Sequence, residues 1–424
     1  MVQLAINGGG KYRKEPFPHW PIIGNEEKKA VLDVLDRAEL STFLTSPGEY
    51  FLGGKKIKEF ETLFSEYFDT RYAVVMNSAT SCLHAAVVAC GVKPGDEVLV
   101  TPYSFTSSAT CILMNNSIPV FVDVDENNFC IDPNKIEEKI TNKTKAIIVV
   151  HLFGGAADMD KIMKIAKKYN LKVIEDCAQS IGATYKGKLL GTMGDCGVFS
   201  FVENKNITSG EGGMLITNNE EIYNISTLIR NHGESIVANQ PRQYKSSILG
   251  WNYRMTELDA AVGIEQFKKI EELNNQRIEL AEYLSKKIEK EIQGIKPCLN
   301  NEHGKNVYYV LAFKYNKKIV GIPRDLFIKA LNAEGIPFGA GYVAPLYLSP
   351  IYHENKHFAI SLFGGHINYN KGICPIMERL HEKDVIITMM CRPPAIFEDM
   401  DDIVNAMKKI IDNKKELLEK VYNN

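Results

Sequence analysis

Apolar positions in this chain gather into short dense runs, and the stretches between them carry helical spacing. Tyr72–Met76, Glu97–Thr101, Pro119–Val122, Lys145–His151 and Lys172–Glu175 are rich in Val, Ile and Leu with little polar alternation. Runs of this kind predict strands buried on both faces. Ser81–Cys90 and Met159–Tyr169 read as helices between them, and Asp132-Pro133 predicts an N-cap and first turn for a helix over Asn134–Ile140. Strand and helix in alternation predict an α/β fold: a large domain with a mainly parallel sheet flanked by helices. Past Thr256 the pattern becomes one long helical stretch to about Ile292. Strands (Val307–Phe313, Val385–Met389) and helices (Arg324–Ala333, Met400–Val421) then mix, which predicts a smaller C-terminal α+β domain. The expected division is 1–280, including an N-terminal arm, and 281–424, with a helix crossing the boundary.

Composition narrows the functions available. The chain has 424 residues, 45% hydrophobic and 24% charged, enough to bury two cores. Fifty basic residues against fifty-two acidic ones give a formal net charge of −2, so neither nucleic acid nor a membrane surface is expected as a partner. The most apolar stretch, Ala146 to Ala157, contains His151 and two glycines and is too short to span a bilayer. The opening residues lack the charged start and apolar core of an export signal. Nine cysteines include no Cys-x-x-Cys pair, as expected of reduced thiols in a cytoplasm.

Open parallel sheets bind ligands at the carboxyl ends of their strands, which directs attention to the segments after each run. After the first comes Met76-Asn77-Ser78-Ala79-Thr80-Ser81, where Thr80 and Ser81 open a helix whose free N–H groups suit a phosphate. The same residues also serve as ordinary caps. After the second, Phe105 in Thr101-Pro102-Tyr103-Ser104-Phe105 could lie on a planar ring or simply fill the core. The fifth ends in Glu175-Asp176-Cys177-Ala178-Gln179; a carboxylate there needs a partner charge, such as a pyridinium N–H, or else acts as a cap. Finally, Lys205 lies between two strand-like runs and before Gly210-Glu211-Gly212-Gly213. A partly desolvated lysine becomes a nucleophile, whereas a solvated one does nothing.

Taken together, Ser-Ala-Thr-Ser, Glu-Asp-Cys-Ala-Gln, Ser200-Phe201 with Lys205, Gly-Glu-Gly-Gly and Gly250-Trp251-Asn252-Tyr253-Arg254-Met255 resemble the DegT/StrS family of sugar aminotransferases. The likeness runs from about Ile23 to the C-terminus. It implies the aspartate-aminotransferase fold and pyridoxal 5'-phosphate bound as a Schiff base to catalytic Lys205. It further implies Asp176 on the pyridine nitrogen, Gln179 near the phenolic oxygen, Phe105 on the ring, and Thr80, Ser81 and Ser200 on the phosphate. Asn252 would reach the phosphate of a neighbouring subunit, so a homodimer is expected. Arg254, three positions from Glu257, reads as an ion pair or a substrate clamp. Tyr342 and Tyr347 are the expected substrate contacts.

Family members that dehydrate keto-sugars carry His in place of the lysine; Lys205 therefore favours transamination. Glutamate or glutamine would donate the amino group to a keto-sugar (nucleotide-linked, phosphorylated or free) or a cyclitol. Leu4-Ala5-Ile6-Asn7-Gly8-Gly9 and Cys374-Pro375-Ile376-Met377-Glu378 resemble the branch of cyclitol aminotransferases and aminohydroxybenzoate synthases. A sensor that binds the cofactor without turnover is a second reading. His353-Glu354-Asn355-Lys356-His357 spells a zinc-protease pattern, but Pro350 and the polar Asn355 and Lys356 make a poor helix for it, and no metal is expected.

Overall fold

The computed structural model describes residues 3–41, 43, 50–234, 246–298, 304–353 and 357–422. The large sheet is built from β1 (Tyr72–Met76), β2 (Glu97–Val100), β3 (Ile118–Phe121), β4 (Thr144–Val150) and β5 (Lys172–Asp176). After a short hairpin, β6 (Thr184–Tyr185) and β7 (Lys188–Leu189), β8 (Cys196–Ser200) and β9 (Gly213–Thr217) complete it. Its order is β1-β9-β8-β5-β4-β2-β3. β9 is antiparallel to β1 and to β8, and every other neighbouring pair is parallel. Six strands therefore point one way. The ends of β1, β2, β5 and β8 and the start of β9 share one edge of the sheet, and each carries a motif singled out above.

Local chemistry accounts for these elements. Apart from Lys145, β4 is buried throughout, which requires cover on both faces. In the helix Ala79–Ala89, the side chain of Ser78 accepts the N–H of Ser81 as N-cap, and small residues let the helix pack closely on β8 and β9. Asp132 does cap the next segment, but that segment is two 3-10 turns, Pro133–Lys135 and Glu137–Lys139, and not an α-helix. So few residues cannot offset the cost of an α-helical nucleus.

The C-terminal elements form a second sheet, β10 (Ile295–Pro297), β11 (Leu311–Tyr315), β12 (Gly339–Ala340) and β13 (Val385–Thr388), in the order β10-β11-β13-β12. The long helical stretch is two helices, Glu257–Lys268 and Ile270–Glu291, divided at Lys269. β11 begins later than its apolar run because the N–H groups of Val307 and Val310 bond to Gly154 and Phe153 beside the large sheet. The arm is divided. Trp20 sits in the core of the large sheet, whereas Leu4 joins the core of the C-terminal elements, away from the domain that sequence order assigns it. Among the described residues no helix is long and apolar enough to cross a membrane.

Candidate active site

A cavity of about 340 Å3 opens at the shared strand edge, and Thr80, Phe105, Asp176, Gln179, Ser200, Lys205 and Tyr342 all line it. Residues not foreseen, among them Ser108, Asn204 and Tyr309, complete the wall. Phe105 is 58% exposed, so its ring is open to a planar ligand rather than spent in the core. Gln179 bridges two elements: its Oε1 accepts the N–H of Phe153 (2.9 Å), and its Nε2 donates to the hydroxyl of Tyr342 (3.2 Å). A larger cavity, of about 880 Å3 among the C-terminal elements, is lined largely by lysines and surface acids. It lacks a buried nucleophile, and the smaller cavity is the chemically equipped one.

Neighbouring residues on a strand face opposite ways, and β5 uses this alternation at its end. Asp176 turns to the cavity, where its Oδ2 accepts the Ser108 hydroxyl (2.7 Å) and its Oδ1 the N–H of Ala178 (3.1 Å). Glu175, fully buried, accepts N–H groups from Gly191, Met193 and Gly194 and the Nε2–H of His151. Burial works to raise the Glu175 pKa, but His151 and those amides prevail and leave it lowered. Asp176 has fewer donors, and burial leaves its pKa raised against Ser108, Ala178 and the charges of Lys205 and His151. His151, Glu175 and Cys177 bring three metal-ligating atoms within 4.8 Å. However, Glu175 is saturated with donors, and His151 Nδ1 already accepts the N–H of Ala157, so the group reads as a brace behind Asp176.

Lys205 is 8% exposed, and its ammonium lies 4.1 Å from the centroid of the Tyr309 ring. Burial lowers the amine pKa to about 8, with the charge of Asp176 pulling the other way. The backbone that presents it is tied from the arm: the indole N–H of Trp20 reaches the carbonyls of Glu203 (3.2 Å) and Lys205 (3.1 Å). The Gly-rich turn closes against the helix Ala79–Ala89. A Cβ on Gly213 would stand 2.4 Å from the backbone nitrogen of Ala79. An amine, a buried carboxylate, an exposed aromatic face, and hydroxyls beside a helix N-terminus form a set that fits pyridoxal phosphate.

Three expected residues lie outside this lining. Ser81 braces it from behind, with its hydroxyl donating to Asn77 Oδ1 (2.7 Å) and its N–H to Ser78 Oγ (3.1 Å). Asn252 is exposed, and its Oδ1 accepts Arg254 Nε (2.9 Å). Tyr347 corrects the expectation of a substrate contact: it is completely buried, packs on Phe121, and donates to Glu378. The zinc pattern does not form one helix. His353 follows a 3-10 turn and bonds the Tyr347 carbonyl, His357 caps the helix Phe358–Phe363, and Glu354 to Lys356 lie outside the described residues.

Comparison with known proteins agrees with this geometry. Residues 30–389 match the model of the DegT/DnrJ/EryC1/StrS aminotransferase family. GDP-perosamine synthase of Caulobacter vibrioides is 36% identical over 332 residues, 78% of this chain and 85% of its own. The L-glutamine:2-deoxy-scyllo-inosose aminotransferase of Streptoalloteichus tenebrarius is 33% identical over 431 residues, covering 98% of this chain and 99% of its own. Among solved structures, an aminotransferase from Psychrobacter cryohalolentis superposes with a TM-score of 0.83 at 31% identity, covering 94% and 99% of the two chains. Fold and site thus define an enzyme of the transaminase class. The chain belongs to the DegT/DnrJ/EryC1/StrS aminotransferase family, whose members are pyridoxal-phosphate enzymes.

Proposed function

We propose that this enzyme moves an amino group from glutamate or glutamine to a keto group on a sugar or cyclitol in a biosynthetic pathway. The observation that carries the reading is the buried Lys205, with an amine pKa near 8, beside a buried Asp176 at the end of β5. Relatives named for perosamine synthesis and for a scyllo-inosose support the acceptor class, and the latter is named for L-glutamine as well.

Pyridoxal phosphate, when bound, supplies the electron sink for breaking and making the C–H and C–N bonds. The chain's own residues do the rest. Lys205 would hold the cofactor at its aldehyde carbon and, once the substrate's amine has displaced it there, would carry a proton to and from the substrate carbon at its Nζ. Its lowered pKa keeps a useful fraction of the amine neutral near physiological pH, where an exposed lysine is almost wholly charged. Asp176 holds the ring nitrogen's proton, and a cationic N–H there would draw its raised pKa back down. Phe105 would cover one ring face, and Gln179 would lie beside the phenolic oxygen. Thr80, Ser200 and the N-terminus of the helix Ala79–Ala89 take the phosphate, with Ser81 holding that helix start in shape. Tyr342 borders the substrate. Asn252, exposed on its own chain, serves the cavity of a second copy, which makes the enzyme a homodimer with shared sites. All nine cysteines are free and buried, in keeping with a cytoplasmic location.

The test is an absorbance scan of purified Lys205→Ala. The variant is expected to lack the absorbance of lysine-bound cofactor and to lose at least about a thousandfold in turnover. A variant with the wild-type spectrum would overturn the assignment. A protein that binds the cofactor but never transfers an amino group from glutamate or glutamine would instead be a sensor.

A further inference from the structure

Behind the Tyr309 wall lie two arginines that the chemistry above does not use. Arg277, on the helix Ile270–Glu291, is 1% exposed, and its guanidinium stacks over the Trp20 ring at 4.9 Å. Its Nε and Nη2 are buried without an acceptor among the described residues. Arg392, just past β13, is half-buried and near enough for its charge to act on Arg277. Among the described residues no carboxylate forms an ion pair with either. Other buried arginines are provided for: Arg230 pairs with Glu61, and Arg324 with Asp325 and the His381 carbonyl.

A buried guanidinium without an anion is strongly unfavourable, and a second positive charge beside it makes it more so. Stacking on an indole returns only a small part of that cost. Escape by deprotonation is closed at neutral pH. Burial, with the neighbouring Arg392 charge, lowers the Arg277 pKa to about 9, which still leaves the cation. Paired guanidinium groups with fixed donors are the usual means of gripping a carboxylate or phosphate. Tyr309 connects this pair to the reaction centre, since its ring meets Lys205 and lines the cavity while both arginines act electrostatically on its hydroxyl.

We propose that Arg277 and Arg392 together receive an oxyanion, carboxylate or phosphate, of a substrate whose reacting atom lies at Lys205. The proposal rests on the reading of Lys205 given above. Two substrates could supply the anion: the amino donor through its carboxylate, or the acceptor through a phosphate. In either case the pair, set behind the cavity's lining, adds positive charge for a charged substrate to a site whose lining carries Asp176, Glu211 and Lys205.

The test uses the enzyme reconstituted with pyridoxal phosphate. Glutarate and inorganic phosphate are titrated into wild type, Arg392→Gln, Arg277→Gln and Arg277→Lys, followed by melting temperature and by the cofactor's absorbance. Wild type is expected to bind at least one anion, Arg392→Gln to bind it at least about tenfold more weakly, and Arg277→Lys to recover part of what Arg277→Gln loses. Loss of glutarate binding, with a KM for glutamate that rises more than the saturating rate falls, assigns the anion to the donor. Loss of phosphate binding with the glutamate half-reaction intact assigns it to the acceptor. If wild type binds neither anion, or Arg392→Gln binds both as wild type does, the proposal fails. Should Arg277→Gln not fold, Arg392→Gln still decides, because that side chain is only half-buried. A wild type without the cofactor spectrum would refute the Lys205 reading, while the melting shift would still report on the arginine pair.

Discussion

Adjacent carboxylates on β5 meet opposite fates because a strand turns successive side chains to opposite faces. Glu175 is fixed as a brace by four donors, and Asp176 is left with the Ser108 hydroxyl and one amide. The Ser108 bond is therefore a sensitive point. Ser108→Ala removes one of two donors from a buried carboxylate, and a hydrogen bond to a charged group is worth about 1.5–3 kcal/mol. Cofactor affinity is expected to fall at least about tenfold while the far-ultraviolet circular dichroism stays that of wild type; unchanged affinity on cofactor titration would show that Asp176 does not depend on Ser108. Most chemistry-bearing side chains at this scale were legible beforehand, because Lys205, Asp176 and Gln179 sit in motifs just after apolar runs. Ser108 was not, although the hydroxyl run Thr106-Ser107-Ser108 beside Phe105 was a signal available for it. Tyr309 carried no signal at all: it stands in the apolar run Val307–Val310, where an aromatic reads as core.

Elements with strong end signals were predicted closely. The helices Met159–Tyr169 and Arg324–Ala333 have the expected bounds, the first capped by Asp158. Elements decided by neighbours were not. The break at Lys269 and the late start of β11 depend on which carbonyls lie nearby, which periodicity does not reveal. The contact between β9 and the start of the helix Ala79–Ala89 is of this second kind, and it makes Gly213 critical. In Gly213→Ala the new Cβ would meet Ala79 nitrogen and the Ser78 carbonyl at 2.4 to 2.7 Å, and backbone cannot step aside as a side chain can. The variant is expected to lose about 1–3 kcal/mol in urea unfolding and to hold less cofactor after dialysis. A stability equal to wild type would mean that the turn and the helix start can separate without harm.

At the scale of the whole molecule, the arm and the second copy matter most. Trp20 reaches across from the arm to the backbone of Lys205 and also carries Arg277 on its ring, so one residue joins the nucleophile's loop to the buried arginine. Asn252 is exposed and does not line its own cavity. If it completes the site of a partner, Lys205→Ala and Asn252→Ala should each be inactive alone and complement each other when co-expressed. Random pairing makes half the dimers mixed, each with one intact site of two, so roughly a quarter of wild-type activity should return. No recovered activity in co-purified mixed dimers would show that each subunit is self-sufficient.

The amino-acid order by itself determined which residues can do chemistry and that they follow strands, because strand runs, turn residues and reactive side chains are local features of the chain. Only the tertiary structure decided that six strands run the same way and bring those ends to one edge. It also put Tyr347 in the core rather than in the cavity lining and left Arg277 buried without a carboxylate among the described residues. Those outcomes depend on which distant segments exclude water from one another, and burial is a property of the packed molecule that no single stretch of sequence carries.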